Sequence, residues 1–111
     1  MRSYTVNIEP VKISVNGNGF ELLKTDAEAQ AEIMRYFIDI ERMNIASPDD
    51  VHQILRTGCD LVDAILGGGA CYKIFGQTPI SIGSIISLLR KICKDCAAEY
   101  KKYIKEQYWE G

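Results

Sequence analysis

The sequence predicts an α+β fold, with an N-terminal β-hairpin or small antiparallel sheet followed by a bundle of three to four helices and a long C-terminal helix. Two observations support this: period-two alternation around an Asn-Gly turn near the N-terminus, and apolar residues at helical spacing through the rest of the chain. With 111 residues, of which 47% are apolar and 25% charged, the composition is that of one globular domain. We therefore expect a single domain over residues 1–111, with a hairpin region at 1–24 and a helical region at 25–111.

The predicted sheet rests on two short alternating segments. Residues 4–9 and 11–15 alternate apolar and polar side chains, with β-branched residues at apolar positions, and both predict strands. The Asn-Gly-Asn-Gly sequence at 16–19 tolerates positive φ, so the chain is expected to turn there and return. Pro10 cannot donate to a ladder and separates the first two strands. The expected hairpin therefore runs from residue 11 to about 23.

The first helix is predicted to follow this hairpin. Thr25 or Asp26 can cap it, Glu28 lies over its positive end, and its pattern continues to Met43. Its predicted core face carries five apolar residues: Ile33, Met34, Phe37, Ile38 and Ile40.

A second helix is predicted to begin at Ser47-Pro48, an N-cap followed by proline in the first turn, with two aspartates over the positive end. The glycines at 67–69 end it, because glycine is the preferred residue just beyond a helix C-terminus. The expected core face consists of Val51, Ile54, Leu55, Cys59, Val62, Ile65 and Leu66.

Two further helices are predicted in the C-terminal part. Residues 70–75 are long enough for a short helix before Gly76 and Pro79. Ser81 can then cap a helix over residues 82–109, which would be about 42 Å long at a rise of about 1.5 Å per residue. A domain of this size is only about 34 Å across. We therefore expect the far end of this helix to extend beyond the core.

The charge and the termini exclude several classes of function. The first ten residues lack the apolar segment of a signal peptide, and no apolar run approaches the length of a membrane span. We therefore expect a cytoplasmic protein that binds no membrane. A net charge of −2 disfavours nucleic acid as a partner. Residues 1–80 hold 7 Lys/Arg and 11 Asp/Glu (−4), whereas residues 81–111 hold 6 and 4 (+2), an asymmetry suited to head-to-tail self-association.

The four cysteines are expected to be free, since a chain without an export signal folds in a reducing compartment. Cys93 and Cys96 match a CxxC pattern, but it lies inside a predicted helix, where no helix N-terminus lowers the pKa of a thiol. Core packing is therefore the favoured role, and no metal or cofactor is predicted. A four-cysteine metal site that adds Cys59 and Cys71 remains the alternative.

No catalytic constellation is recognisable in the sequence. The glycines at 67–69 leave a helix and lack the Lys-Ser/Thr of a phosphate-binding loop. His52 is the only histidine and has no nucleophile motif near it. Two pairs of aspartates, 49 with 50 and 60 with 63, are expected to cap or solvate helices. We therefore expect a protein that is not an enzyme.

The C-terminal segment, residues 99–109, interleaves aromatic side chains with lysines. Such aromatic residues anchor protein interfaces, and the length of the last helix places some of them beyond the core. We predict a partner-binding role for Tyr100, Tyr103, Ile104, Tyr108 and Trp109. The alternative is that this segment packs back onto the hairpin and completes the core.

Residues 65–76, Ile-Leu-Gly-Gly-Gly-Ala-Cys-Tyr-Lys-Ile-Phe-Gly, resemble the central signature of tail-assembly chaperone-like proteins of long-tailed phages and prophages. The layout is similar as well, with an Asn-Gly hairpin first, two helices before the signature and one after it. The resemblance implies a non-enzymatic role in the bacterial host cytoplasm, in which the protein binds the long tape-measure protein and keeps its apolar helices in solution. It also implies homo-oligomers along that client.

Three other functions remain open from the sequence. The chain could be a structural or connector component of a phage particle, or a small metal-binding or redox protein that uses Cys59, Cys71, Cys93 and Cys96. It could also be a small regulator that binds DNA through the helices around the glycine joint at 67–69.

Overall fold

The computed structural model describes residue 3, residues 11–76 and residues 78–109, and leaves the side chains of residues 99, 100 and 102–109 undescribed. A two-stranded antiparallel sheet precedes four helices, so the predicted α+β class is confirmed. The elements are β1 (Lys12–Val15), β2 (Asn18–Glu21), α1 (Asp26–Arg42), α2 (Pro48–Leu66), α3 (Ala70–Phe75) and α4 (Ile82–Trp109).

The hairpin forms where it was predicted, with a tighter turn than expected. Asn16 and Gly17 have φ of 50° and 80°, and Val15 pairs directly with Asn18 across them. Positive φ at both central residues matches the right-handed twist of the flanking strands, which is why Asn-Gly is favoured there. The second Asn-Gly, Asn18 and Gly19, therefore forms the start of β2. The strand predicted at residues 4–9 lies outside the described residues.

Side-chain and proline caps set the bounds of α1 and α2 as the sequence predicted. Thr25 Oγ accepts the Glu28 N–H at 3.1 Å and begins α1. At the start of α2, Asp50 Oδ2 accepts the N–H groups of Ala46 and Ser47 at 2.9 and 3.1 Å. Gly67 ends α2 with φ of 119°, a conformation that residues with a Cβ rarely adopt.

The core lies where α4 packs against α1 and α2. Its fully buried large side chains are Ile33, Val62, Ile65, Ile85, Leu89, Ile92 and Cys96. The Tyr36 hydroxyl donates to the Ile54 carbonyl at 2.7 Å and so ties α1 to α2. At Gly58 an added Cβ would lie 2.5 Å from Ile85 Cγ2 and 2.6 Å from Tyr36 Oη. Only glycine permits the three helices to approach this closely.

The predicted core face of α1 is partly wrong. Ile33 is buried, and Phe37 and Ile40 pack partly against the core. Met34 and Ile38, by contrast, are 53% and 42% exposed. On a helix these two lie about 100° and 140° from Ile33, so the face that meets α2 and α4 is narrower than the apolar face of the sequence.

Helix α4 is the longest element, with 28 residues. The molecule measures 62 Å along its longest axis and 29 and 24 Å along the others, which fits a helix longer than the core it packs on. Among the described side chains of α4 the last buried one is Cys96, and Ala98 and Lys101 are exposed. In the described part of the chain, no helix has the length and hydropathy to cross a membrane.

Candidate functional site

The aromatic C-terminal segment lies on the last turns of α4. The helix continues to Trp109, as predicted. The side chains of the five predicted partner-binding residues, Tyr100, Tyr103, Ile104, Tyr108 and Trp109, lie outside the described residues. Their role in binding a partner stays a prediction.

An apolar stripe on the outer face of α1 was missed by the sequence reasoning. Met34 and Ile38 lie one turn apart and are both exposed, and Ala27 and Ala31 are exposed on the same face. Ile45, just beyond the helix, is 49% exposed. We call Ala27, Ala31, Met34 and Ile38 the α1 stripe. It covers about three turns of helix, or about 16 Å.

A helical-wheel comparison of the sequence shows two apolar lines on α1, although it does not show which of the two is buried. Ala29, Ile33 and Tyr36 are the buried residues of α1, and their spacing of three and four defines one line along the helix. Ala27, Ala31, Met34 and Ile38 repeat the same spacing along a second line. The structure buries the first line against the core and leaves the second exposed.

The four thiols are arranged in two separate pairs. Cys59 on α2 and Cys71 on α3 bring their Sγ atoms to 3.0 Å. Cys93 and Cys96 lie one turn apart on α4. Within the described residues, no group of three or more His, Cys, Asp or Glu side chains is placed to hold a metal ion, so the four cysteines do not converge on one site.

The thiol environments are apolar. Burial is the main cause that raises the pKa of Cys96 to about 11, and burial also raises that of Cys93. The pKa of Cys71 is raised to about 12, first by burial and then by the hydrogen bond that its thiol donates to Cys59. Such thiols remain protonated near neutral pH and react slowly as nucleophiles.

One aspartate, Asp63, accepts two hydrogen bonds at the joint between α2 and α3, residues 67–69. Asp63 Oδ1 accepts the Cys71 N–H at 2.9 Å, and the Asp63 carbonyl accepts the Gly67 N–H at 2.8 Å. Gly69 then turns the chain into α3 with φ of 80°. The glycine-rich segment therefore reverses the chain, and Asp63 ties its two sides together.

The other charged or titratable candidates, Asp50, His52 and Asp60, lie at a helix cap or on the exposed surface of α2. Asp50 caps α2. His52 is exposed on the first turns of α2. Asp60, also exposed on α2, lines with Arg35 and Asp39 an open groove between α1 and α2 of about 380 Å³. These side chains do not assemble a nucleophile, a base and a group to orient them in the part of the chain described here.

A second groove lies between the hairpin, α3 and the first half of α4. It has a volume of about 500 Å³ and is lined by Val15, Asn16, Ile74 and Phe75 on one side and by serines 81, 84 and 87, Leu88 and Lys91 on the other. Ser81 Oγ accepts the Ser84 N–H at 3.1 Å and so caps α4 as predicted. The groove is open and its walls are a mixture of apolar and hydroxyl groups.

Comparison with known proteins identifies no relative for this chain: no family model, no curated protein and no solved structure matches it.

Proposed function

We propose that this protein is a non-enzymatic, helix-binding protein of the phage tail-assembly chaperone kind, acting in the cytoplasm of a bacterial host. Its client would be a long helical protein such as the tape-measure protein, whose apolar helix faces it would shield before the tail tube forms. The observation that carries this proposal is the α1 stripe, an exposed apolar line at helical spacing. The resemblance of residues 65–76 supplies the identity of the client.

The α1 stripe has the chemistry for this role. A helix docks on a helix through side chains at i, i+3, i+4 and i+7, and Ala27, Ala31, Met34 and Ile38 have that spacing. The two alanines permit close approach at one end, while Met34 supplies an adaptable side chain at the other. Burying one side chain of the size of Met or Ile stabilises a complex by about 1.5–3 kcal/mol.

The length of a tape-measure protein favours many copies along one client. The part of the chain before residue 81 is acidic and the part after it is basic, so successive copies can meet head to tail. The aromatic residues near the end of α4 would add a second contact with the client or with the next copy.

The test is affinity purification of the tagged full chain from its host after prophage induction, with co-purifying proteins identified by mass spectrometry. We expect one very long, helix-rich protein. The variant Met34→Glu/Ile38→Glu places charges on the α1 stripe and is expected to lose this protein. The matched control is Gln53→Glu/Thr57→Glu, which adds two glutamates at the same spacing on exposed positions of α2.

Circular dichroism melting of both double variants is measured first, and both are expected to remain folded. A chain that ends after Ala98 tests the aromatic segment separately. If the wild-type protein recovers only copies of itself, the proposal is wrong, and a self-assembling component of the particle becomes the better explanation.

A further inference from the structure

The contact between Cys59 and Cys71 is unusual for two free thiols. Their Sγ atoms lie 3.0 Å apart although the residues are 12 positions apart and belong to different helices. A disulfide has an S–S distance of about 2.05 Å, so the two sulfurs need to approach by only about 1 Å to form one.

The backbone on both sides of this pair is held in place. Asp63 Oδ1 accepts the N–H of Cys71 itself, and the Ala70 N–H donates to the Gly67 carbonyl at 3.1 Å. Cys59 is half-buried on α2 and packs against the core, and it follows Gly58, where Tyr36 and Ile85 leave no room for a Cβ. The two sulfurs therefore meet because the fold places them together, and their contact does not depend on a flexible loop.

The two thiols differ in access. Cys71 is only 5% exposed, whereas Cys59 is half-buried. A reagent from solution therefore reaches Cys59 first. The more buried Cys71 lies behind it, with the two Sγ atoms in contact. Cysteines that undergo thiol–disulfide exchange are often accessible thiols that lie next to a second, resolving thiol.

We infer that Cys59 and Cys71 are a dithiol site that is oxidised to an intramolecular disulfide by small disulfides of the oxidised-glutathione class. In the first step the Cys59 thiolate attacks one sulfur of the small disulfide, forms a mixed disulfide and releases one small thiolate. In the second step Cys71, after losing its proton to water, attacks the Cys59 sulfur and expels the second small thiolate. The two cysteines are oxidised and the small disulfide is reduced to two thiols.

The electrostatics of the pair order these two steps. Burial, the hydrogen bond to Cys59 and the nearby charges of Cys59, Asp63 and Asp60 raise the pKa of Cys71 to about 12. Once Cys59 is part of a mixed disulfide, a Cys59 thiolate can no longer oppose the ionisation of Cys71. Ionisation of Cys71 then becomes easier, so the buried thiol reacts second.

The product would tie α2 to α3 across the glycine joint. Gly67 and Gly69 are the residues that turn the chain there, with φ of 119° and 80°. A covalent link on either side of them restricts the joint to one arrangement. The disulfide would therefore add a covalent constraint to a joint that hydrogen bonds already hold.

The experiment uses the full chain, fully reduced, freed of reductant and incubated with oxidised glutathione. Free thiols are then alkylated and the protein is digested with trypsin. Residues 57–73 contain no lysine or arginine before Lys73, so Cys59 and Cys71 lie in one tryptic peptide, whereas Cys93 and Cys96 lie in two others. The expected result is a 57–73 peptide that is lighter by two hydrogens and unalkylated, with both α4 cysteines alkylated.

Two variants distinguish the outcomes. In Cys71→Ala the reaction is expected to stop at one glutathione on Cys59, and in Cys93→Ala the 57–73 peptide is expected to oxidise as in the wild type. Dithiothreitol should return the oxidised protein to four alkylatable thiols. The same treatment of the urea-unfolded chain shows that the reagent is competent.

Three results would overturn the inference. The first is a wild-type protein that keeps a glutathione on Cys59 without closing the disulfide. The second is a cross-link of either cysteine to the 92–94 or 95–101 peptide. The third is a folded protein in which all four thiols stay free although the unfolded chain is oxidised.

Discussion

The protein contains two pairs of cysteines, Cys59–Cys71 and Cys93–Cys96, and the fold brings the sulfur atoms of only the first pair into contact. Cys93 and Cys96 are three positions apart on one helix, where Cβ atoms are separated by about 5–6 Å. A disulfide needs a Cβ separation of about 3.5–4.5 Å, so the regular helix keeps them apart. Cys59 and Cys71 are 12 positions apart, yet their sulfurs are in contact. The two cysteines that are closer in the sequence are therefore held apart by their helix, whereas the two that are farther apart in the sequence have their sulfur atoms in contact.

The two pairs also contribute to stability in different ways. Cys96 is completely buried and fills space in the core. Cys59 is half-buried at the border between α2 and α3, and its contact with Cys71 accompanies the hydrogen bond from Asp63. We therefore expect the α4 pair to respond to changes in packing and the α2–α3 pair to respond to oxidation.

The largest expected effect is that of oxidation on stability. Closing a loop of this length with a disulfide stabilises a protein by about 3 kcal/mol, because it restricts the unfolded chain. Urea unfolding of the oxidised and reduced wild-type protein measures the difference. A Cys93→Ala chain should gain as much on oxidation as the wild type, and a Cys59→Ser chain should gain nothing. Equal midpoints with and without reductant would contradict the prediction.

The next effect is that of Gly58→Ala, which changes the approach of the helices beside Cys59 without altering a thiol. The new Cβ would lie 2.5 Å from Ile85 Cγ2 and 2.6 Å from Tyr36 Oη, so the helices must separate. We expect a loss of about 1–3 kcal/mol in the free energy of unfolding. The control is Gly68→Ala, where an added Cβ meets nothing within 4 Å and which should change stability by less than about 0.5 kcal/mol. Equal losses in the two variants would show that the approach at Gly58 is unimportant.

A smaller effect separates the two pairs directly. Cys96→Ser buries a hydroxyl group in an apolar site and is expected to cost about 1–2 kcal/mol. Cys59→Ser, at a half-buried position, is expected to cost less than about 0.5 kcal/mol under reducing conditions. Thermal unfolding in the presence of reductant compares them. A larger loss for Cys59→Ser would reverse the assignment of Cys96 to the core.

The smallest effect is the pH dependence of stability between pH 7 and 9. The pKa values of Cys71 and Cys96 are raised in the folded protein to about 12 and about 11, from 9.0 for the unperturbed thiol. The folded state therefore holds these protons more tightly, so this stabilisation is present below pH 9 and is lost as the pH rises towards the folded values. By pH 9 the loss is roughly 0.4 kcal/mol per thiol. A Cys71→Ala/Cys96→Ala chain should show a flatter profile, and an unchanged profile would contradict this cause.

Most of the secondary structure could be predicted from the sequence because local chemistry sets it. Asn16-Gly17 accepts the positive φ of the turn, Thr25 caps α1, and Ser47-Pro48 opens α2. These features depend on residues within a few positions of one another. The same is true of the end of α2 at Gly67 and of the start of α4 at Ser81.

The candidate site was less predictable. Met34 and Ile38 have the same apolar character as Ile33, and only the direction from which α2 and α4 approach leaves them exposed. The contact of Cys59 with Cys71 also depends on the path of the chain through the glycine joint. A CxxC pattern was the more visible signal in the sequence, and it marks the pair that the helix holds apart.

The sequence by itself therefore determined where the helices begin and where the hairpin turns, because turns, caps and apolar periodicity act over short distances along the chain. The tertiary structure alone decided which apolar line of α1 is buried and which thiols meet. Burial and contact depend on how closely whole helices approach, and that approach is set by side chains far apart in the sequence, such as Tyr36, Gly58 and Ile85.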